Sequence, residues 1–177
     1  MATQTLITAE EFDRLPEQEG RRFELLDGEM IEMPTATARH NFIQMRLGAE
    51  LHGWLKESRG AVLPTTEFAF GSNRFQPDLA VLLAAKWKEV EQSRCPVLII
   101  PDIAVEIVSP SESAWNLDRK IGICLSQGVS EVWIVYPDSQ HMLIYGANGI
   151  RNLVHTDRLE TPLLPGWSIA LSEVFAT

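Results

Sequence analysis

The run Asp102 to Val108, DIAVEIV, most narrows what this chain can fold into, because it is apolar on both sides of the alternation that a strand imposes. A strand with one wet face alternates apolar and polar residues, whereas one buried on both faces is a near-continuous apolar run. The prediction is an interior strand covered by helices on each side. Glu106 breaks the run, with Ala104 and Val105 before it and Ile107 and Val108 after it. A carboxylate taken out of water is costly unless it finds a partner, binds a metal or takes up a proton. A structural ion pair and a functional site are both open readings of this position.

The rest of the chain supplies the elements such a layered fold needs. Thr8-Ala9-Glu10-Glu11 has the capping-box form and predicts a short helix ending near Pro16. In RRFELLDGEMIEMP two strand-like runs flank Asp27-Gly28, a pair that supplies the positive φ angles of a tight hairpin. Phe42, Ile43, Leu47, Leu51, Trp54 and Leu55 recur at helical spacing and predict a helix from about Ala36 to Ser58, closed by Gly60. AVLPTTEFAF and PDLAVLLA read as two strands separated by the turn-rich GSNRFQ, followed by a short charged helix around Lys86 to Gln92. After the Glu106 strand, Pro110 and the serines lead into a helix from about Ala114 to Gln127, with Gly128 as its stop. VSEVWIVYPDSQHMLIYG reads as strand, Pro-Asp turn and strand, and LLPGWSIALSEVF as an apolar piece packed on the sheet. Interleaved strands and helices imply an α/β or α+β class around a mixed central sheet. With 177 residues, 45% of them hydrophobic, and no repeat or linker, residues 1–177 are expected to form one domain.

Bulk properties exclude several classes. No apolar run approaches the roughly 20 residues of a membrane span. The polar, acidic start MATQTLITAEEFDRLPEQEG lacks the layout of a signal peptide. Cys95 and Cys124 lie far apart with no CxxC pair, which argues against a disulfide scaffold or a cysteine zinc site and leads us to expect a cytoplasmic protein. The formal net charge of −9 repels nucleic acid at long range, and the basic residues form no run. A DNA-handling role therefore requires a local basic patch or a groove assembled in an oligomer.

Four residues could carry chemistry. Glu24 lies on the first hairpin strand, Asp78 follows Pro77 at the start of an apolar strand, Glu106 interrupts its own, and Lys120 lies on the helix beyond. Each has a plainer reading: a turn aspartate, a solvent-facing strand glutamate, a structural ion pair, a solvated helix lysine. Together they suggest more. Two carboxylates converging at one end of a sheet present oxygen ligands to Mg²⁺ or Mn²⁺, and Mg²⁺ takes only one or two such ligands from protein. Such a cation resolves the burial of both acids and polarises a phosphoryl oxygen, and a nearby ammonium stabilises added negative charge.

The ordered set FELLDGEM, a helix opening with His40, FQPDLAV, IAVEIVSPS, Lys120 and QGVSEVWIVYPD resembles the Uma-two family of restriction-endonuclease-like domains. That family looks like a branch of the PD-(D/E)xK nuclease superfamily. The resemblance runs from about Thr8 to Phe175 and implies the restriction-endonuclease-like fold, with a mixed central sheet flanked by helices and an N-terminal helix and hairpin. It implies that Asp78 and Glu106 bind a divalent cation, that Lys120 supports the transition state, and that Glu24 is an additional ligand or positions water. In the wider superfamily the lysine sits two residues after the second acid, here Val108; the Uma-two pattern moves it to the next helix, where Lys120 matches. The chain departs from the pattern at Asn116, where an aspartate is usual one helical turn before the lysine, at Cys124, usually tyrosine, and at Tyr136, usually aspartate. His40 stands where the family often has histidine, although a capping or packing role at the helix start is the simpler reading.

The expected function is Mg²⁺- or Mn²⁺-dependent hydrolysis of DNA phosphodiesters by a homodimer or higher homo-oligomer with no membrane partner. A nuclease fold kept as an interaction module and a phosphoesterase of small molecules are the alternatives.

Overall fold

The strand that carries Glu106 lies in the interior of a six-stranded sheet, as its two apolar faces require. In chain order the computed structural model, which describes residues 6–16 and 18–176, runs α1 (Ala9–Phe12), β1 (Arg22–Leu26), β2 (Glu29–Met33), α2 (Ala38–Ser58), β3 (Ala61–Pro64), β4 (Phe68–Phe70), β5 (Asn73–Phe75), β6 (Leu79–Leu82) and α3 (Ala84–Trp87). It continues through β7 (Ile103–Ile107), α4 (Ala114–Ser126), β8 (Glu131–Tyr136), β9 (His141–Gly146), β10 (Gly149–Val154), β11 (Arg158–Glu160), β12 (Ser168–Ala170) and α5 (Leu171–Phe175). The large sheet has the order β10-β9-β8-β7-β6-β3, and all its pairings are antiparallel except β7 with β8. A smaller sheet, β2-β1-β5-β4, is built on the Asp27-Gly28 hairpin, whose two turn residues have φ of 50° and 85°.

Two cores lie on the two faces of the large sheet. On one, Ile43, Leu47, Leu51 and Leu55 form an i, i+4 stripe along α2 that packs on Ile103, Val105 and Ile107 of β7. Trp167, Ile169, Leu171 and Val174 from the C-terminal segment complete this core, as the apolar tail predicts. On the other face, Leu117, Ile121 and Cys124 of α4 and Leu26, Phe70 and Phe75 of the small sheet cover Ala80 and Ala104. Parallel neighbours need a crossover, and α4 supplies it between β7 and β8. The helix that follows Glu106 is thereby laid back over the face towards which Glu106 points. Among the described residues, no helix is long and apolar enough to cross a membrane.

Several expectations need correction. The capping box at Thr8 is present, but its helix ends at Phe12 rather than near Pro16. The long helix is closed by Arg59 in the left-handed conformation, not by Gly60. Gly60 instead permits a close approach, since a Cβ there would lie 2.7 Å from Leu55 Cδ2 and 2.8 Å from the Leu82 carbonyl oxygen. GSNRFQ is not simply a turn: Asn73–Phe75 forms a strand, and AVLPTTEFAF divides between the two sheets as β3 and β4. The charged helix forms earlier and shorter, at Ala84–Trp87. The strands β10 and β11 escaped prediction because GIRNLV and RLE lack an apolar alternation; β10 is largely exposed and pairs only with β9 among the described strands.

Candidate active site

Strand register brings the two expected metal ligands together. β6 runs antiparallel to β7 with Leu79 opposite Val105, so Asp78, one step earlier, comes opposite Glu106. Directly opposed residues share a face of the sheet. On β7, Ile103, Val105 and Ile107 enter the α2 core while Ala104 and Glu106 turn towards α4. Lys120, on the crossover helix, reaches Glu106 from above, and Glu24 reaches the same ammonium from the small sheet.

Lys120 is buried, with side-chain exposure of 2%, and its Nζ lies 2.8 Å from Glu24 Oε2, 3.4 Å from Glu106 Oε2 and 3.9 Å from Glu112 Oε1. Burial alone would lower the pKa of this amine. The carboxylates of Glu106, Glu24 and Glu112 outweigh burial and raise it, so the group is a fixed cation. Glu24 is held at both oxygens, because its Oε1 accepts the Gln76 backbone N–H at 3.0 Å. Glu106 is not: its Oε1 is buried and has no hydrogen-bond partner among the described residues. Burial raises the Glu106 carboxyl well above the ordinary range; Lys120 opposes this, and Asp78, Glu24 and Glu112 add to it.

Asp78 is fixed by three elements. Its Oδ2 accepts the Ile107 backbone N–H at 2.6 Å and lies 3.0 Å from His40 Nε2, while its backbone oxygen accepts from Gln44 Nε2 and from Thr65 N. Of the two simpler readings of His40, capping falls to Thr37, while the ring is buried as packing would have it. Thr37 caps α2 by accepting the His40 N–H at 3.1 Å, and the imidazole turns inward to Asp78. Burial would depress the His40 pKa, but the hydrogen bond and charge of Asp78, with Asn41 and Glu112, together outweigh burial and raise it.

Position 24 depends on how the hairpin is anchored. Arg119, the neighbour of Lys120, ion-pairs with Asp27 at 3.1 Å and Glu29 at 2.6 Å and donates to the Leu26 carbonyl. The hairpin tip is thus clamped to α4, and Glu24 is aligned with the lysine one residue along the helix. Neither Glu24 nor Lys120 is the solvent-facing charge that each could have been taken for alone.

Glu112 was overlooked in the sequence. It lies in the polar SPSES segment, where an acid ordinarily reads as solvated. The chain turns there, with Glu112 N donating to Ser109 O at 3.0 Å, and the carboxylate folds back towards Lys120. Its pKa is raised by burial, an effect that Lys120 opposes. The signal available was proximity in sequence to the end of the Glu106 strand. Of the departures from the family pattern, Asn116 borders a small cavity shared with Lys120, Glu24 and Glu112, Cys124 is buried with its thiol pKa pushed up chiefly by burial, and Tyr136 stacks on His141 at 4.4 Å. Val108 donates its N–H to Val135 O, as a strand continuation.

Glu24, His40, Asp78, Glu106 and Glu112 all border one narrow cleft of about 50 Å³. A far larger cavity of about 620 Å³ lies elsewhere, between the β9–β10 turn and the segment around Trp167, and none of these five residues borders it. Among the described residues no group of three or more His, Cys, Asp or Glu is arranged to hold a metal ion. A pair of carboxylates is nonetheless the usual protein contribution to an Mg²⁺ site.

Comparisons with known proteins agree with this architecture. No curated protein matches the chain. A solved structure from Anabaena variabilis, described as "a putative nuclease belonging to DUF820", superposes with a TM-score of 0.84 at 23% identity, covering 96% of this chain and 98% of that one. The two share a fold. The model of the Uma2 family, "Putative restriction endonuclease", matches residues 9–172. That match spans nearly the whole chain, from the capping-box helix to the C-terminal one, and the chain belongs to the Uma2 family.

Proposed function

We propose that the chain is a divalent-cation-dependent nuclease that hydrolyses DNA phosphodiesters, with Asp78 and Glu106 as ligands of Mg²⁺ or Mn²⁺ and with Lys120 and Glu24 supporting the reaction. The observation that carries this reading is Glu106 Oε1, a buried carboxylate oxygen with no hydrogen-bond partner among the described residues, on a cleft that Asp78 shares. Four carboxylates (Glu24, Asp78, Glu106 and Glu112) stand against one ammonium, an excess of negative charge that suits a cation. Restriction-endonuclease-like enzymes generally use divalent cations, and the donor set is of the hard-oxygen type that Mg²⁺ and Mn²⁺ favour.

When bound, the cation polarises the scissile phosphoryl group and lowers the pKa of the attacking water. The chain's own residues do the rest. His40 and the Ile107 N–H hold Asp78 in one orientation, leaving its other oxygen for a ligand. Glu24 fixes Lys120, whose ammonium stabilises the charge that develops on the phosphoryl oxygens. The cleft has room for only a few water molecules, so bases and sugars stay outside and the polymer backbone is what enters. That counts against the small-molecule phosphoesterase, for which a pocket of roughly 300–1,000 Å³ at the acids would be expected.

The test is a cleavage assay on plasmid and single-stranded DNA with Mn²⁺, comparing the unaltered protein with Asp78→Ala and Glu106→Ala. Cleavage by the unaltered protein alone is the expected result. Equal behaviour of all three at every Mn²⁺ concentration would sink the mechanism.

A further inference from the structure

We propose that Arg22 is a phosphate-binding residue at the mouth of the acidic cleft, where it grips a backbone phosphate of the strand beside the one being cleaved; this rests on the nuclease reading above. Successive strand residues point to opposite faces, so Arg22 and Glu24 of β1 share a face. Glu24 is buried at the inner end and holds Lys120, Arg22 is exposed at the outer end, and both border the cleft. The two residues are about 7 Å apart along an extended strand, comparable with the step between neighbouring phosphates of an extended nucleic-acid chain.

Arg22 combines a place on the cleft wall with donors that are unused. Its neighbour Arg21 is committed to Glu32 at 2.5 Å, Arg74 to Asp13 at 2.9 Å, Arg119 to Asp27 and Glu29, and Arg39 to the Pro137 carbonyl and Asp138. Arg22 makes no ion pair or side-chain hydrogen bond with any described residue. Among the described residues that border the cleft it is the one lysine or arginine, since Lys120 lies deeper and is surrounded by carboxylates. A chain of net charge −9 repels DNA at long range, and its acidic cleft does so most of all. An uncommitted guanidinium at the mouth offers two parallel N–H donors to a phosphate and supplies the local attraction that the overall charge denies.

The experiment is steady-state cleavage of single-stranded DNA with Mn²⁺ by the full chain and by Arg22→Ala and Arg22→Lys, repeated over a range of salt concentrations. For Arg22→Ala we expect KM to rise about tenfold or more, the loss of one charge-assisted contact, with kcat changing less than about twofold. The dependence of log KM on log salt should become shallower by nearly one. Arg22→Lys should recover part of the affinity but not all of it. Thermal unfolding of Arg22→Ala should match the unaltered protein. Unchanged KM and salt slope in an otherwise active Arg22→Ala overturns the assignment and leaves the nuclease reading standing. A fall in kcat at constant KM also overturns it. If the unaltered protein cleaves no DNA at any Mn²⁺ concentration, the nuclease reading fails first and this assignment falls with it.

Discussion

Two acids on the same strand segment, Asp102 and Glu106, are almost equally buried, with exposures of 8% and 6%, and face the same side of the sheet four residues apart. Asp102 is fully used. One oxygen accepts the Leu83 backbone N–H at 2.7 Å, the other meets Lys86 at 3.0 Å, and together they tie the loop before α3 to the foot of β7. Glu106 has one oxygen 3.4 Å from a lysine already 2.8 Å from Glu24, and one with no hydrogen-bond partner among the described residues. Burial is the same and satisfaction is not. A buried carboxylate with complete hydrogen bonding is part of the architecture, whereas one left incomplete beside further acids is what the proposed cation would satisfy.

The largest expected effect comes from removing the charge that makes the Glu106 arrangement tolerable. Lys120→Met strips the ammonium from Glu24, Glu106 and Glu112 together. Breaking a buried ion pair at one partner typically costs about 3–5 kcal/mol, read here as a drop in urea-unfolding free energy in the presence of EDTA. Combining it with Glu106→Gln should recover part of that loss, because the two side chains are in contact and their effects are not additive. Additive losses would mean that the two groups do not interact.

A direct contrast of the two acids follows. Asp102→Ala leaves the Leu83 N–H and Lys86 without their acceptor and is expected to cost about 1–3 kcal/mol of stability, with residual cleavage per folded molecule little changed. Glu106→Gln should do the reverse. It removes a like charge from a crowded set and leaves cation-free stability equal or higher, while cleavage falls by about a hundredfold or more, beyond what loss of a ligand's supporting contact usually gives. If Glu106→Gln destabilised the cation-free protein as much as Asp102→Ala does, the distinction between the two acids would collapse.

Much of this was legible in the sequence because the deciding patterns are short-range. The apolar run around Glu106 fixed an interior strand, the DG pair a hairpin, and the i, i+4 leucines of α2 one wall of the core. What was not legible is long-range. Glu112 reads as a solvated acid in a serine-rich turn until the crossover places α4 over β7. His40 could be read as capping or packing because the sequence does not say that Thr37 already provides the cap or that the imidazole meets Asp78. The strands β10 and β11 carry no apolar alternation, and tertiary pairing with β9 and β12, rather than local pattern, decides their structure. The rearranged lysine is intelligible only in three dimensions. A β-α-β crossover returns the helix over its own strand, which brings Lys120 within 3.4 Å of Glu106.

His40 gives the next contrast, because Asp102 is held by a backbone N–H and a lysine whereas Asp78 is held by a backbone N–H and an imidazole on one oxygen. His40→Ala removes one of the two partners of Asp78 Oδ2, leaving the Ile107 N–H, without touching Glu106. The outer partners of metal ligands are commonly worth about 10–100-fold in metal affinity, and a loss in that range is expected in Mn²⁺ titrations followed by calorimetry. The smaller effect of His40→Gln, which can still donate to Oδ2, would separate orientation from charge.

The smallest expected effect is at Asn116, where the family usually has aspartate one turn before the lysine. An aspartate there would matter if residue 116 set the position of Lys120. In this chain Glu24, Glu106 and Glu112 already surround the ammonium, at 2.8, 3.4 and 3.9 Å, and Glu24 is itself anchored to the Gln76 backbone. Asn116 only borders the adjoining cavity of about 80 Å³. Asn116→Asp adds a fifth carboxylate to a set already in excess over its one ammonium, without a free donor to receive it. Asn116 is only half-buried, so water can screen the added charge, and we expect stability to fall by no more than about 1 kcal/mol, with cleavage rates within a factor of a few. A large gain in rate would show that Glu24 does not hold the lysine in a working position, and the satisfied half of the comparison would then have to include residue 116.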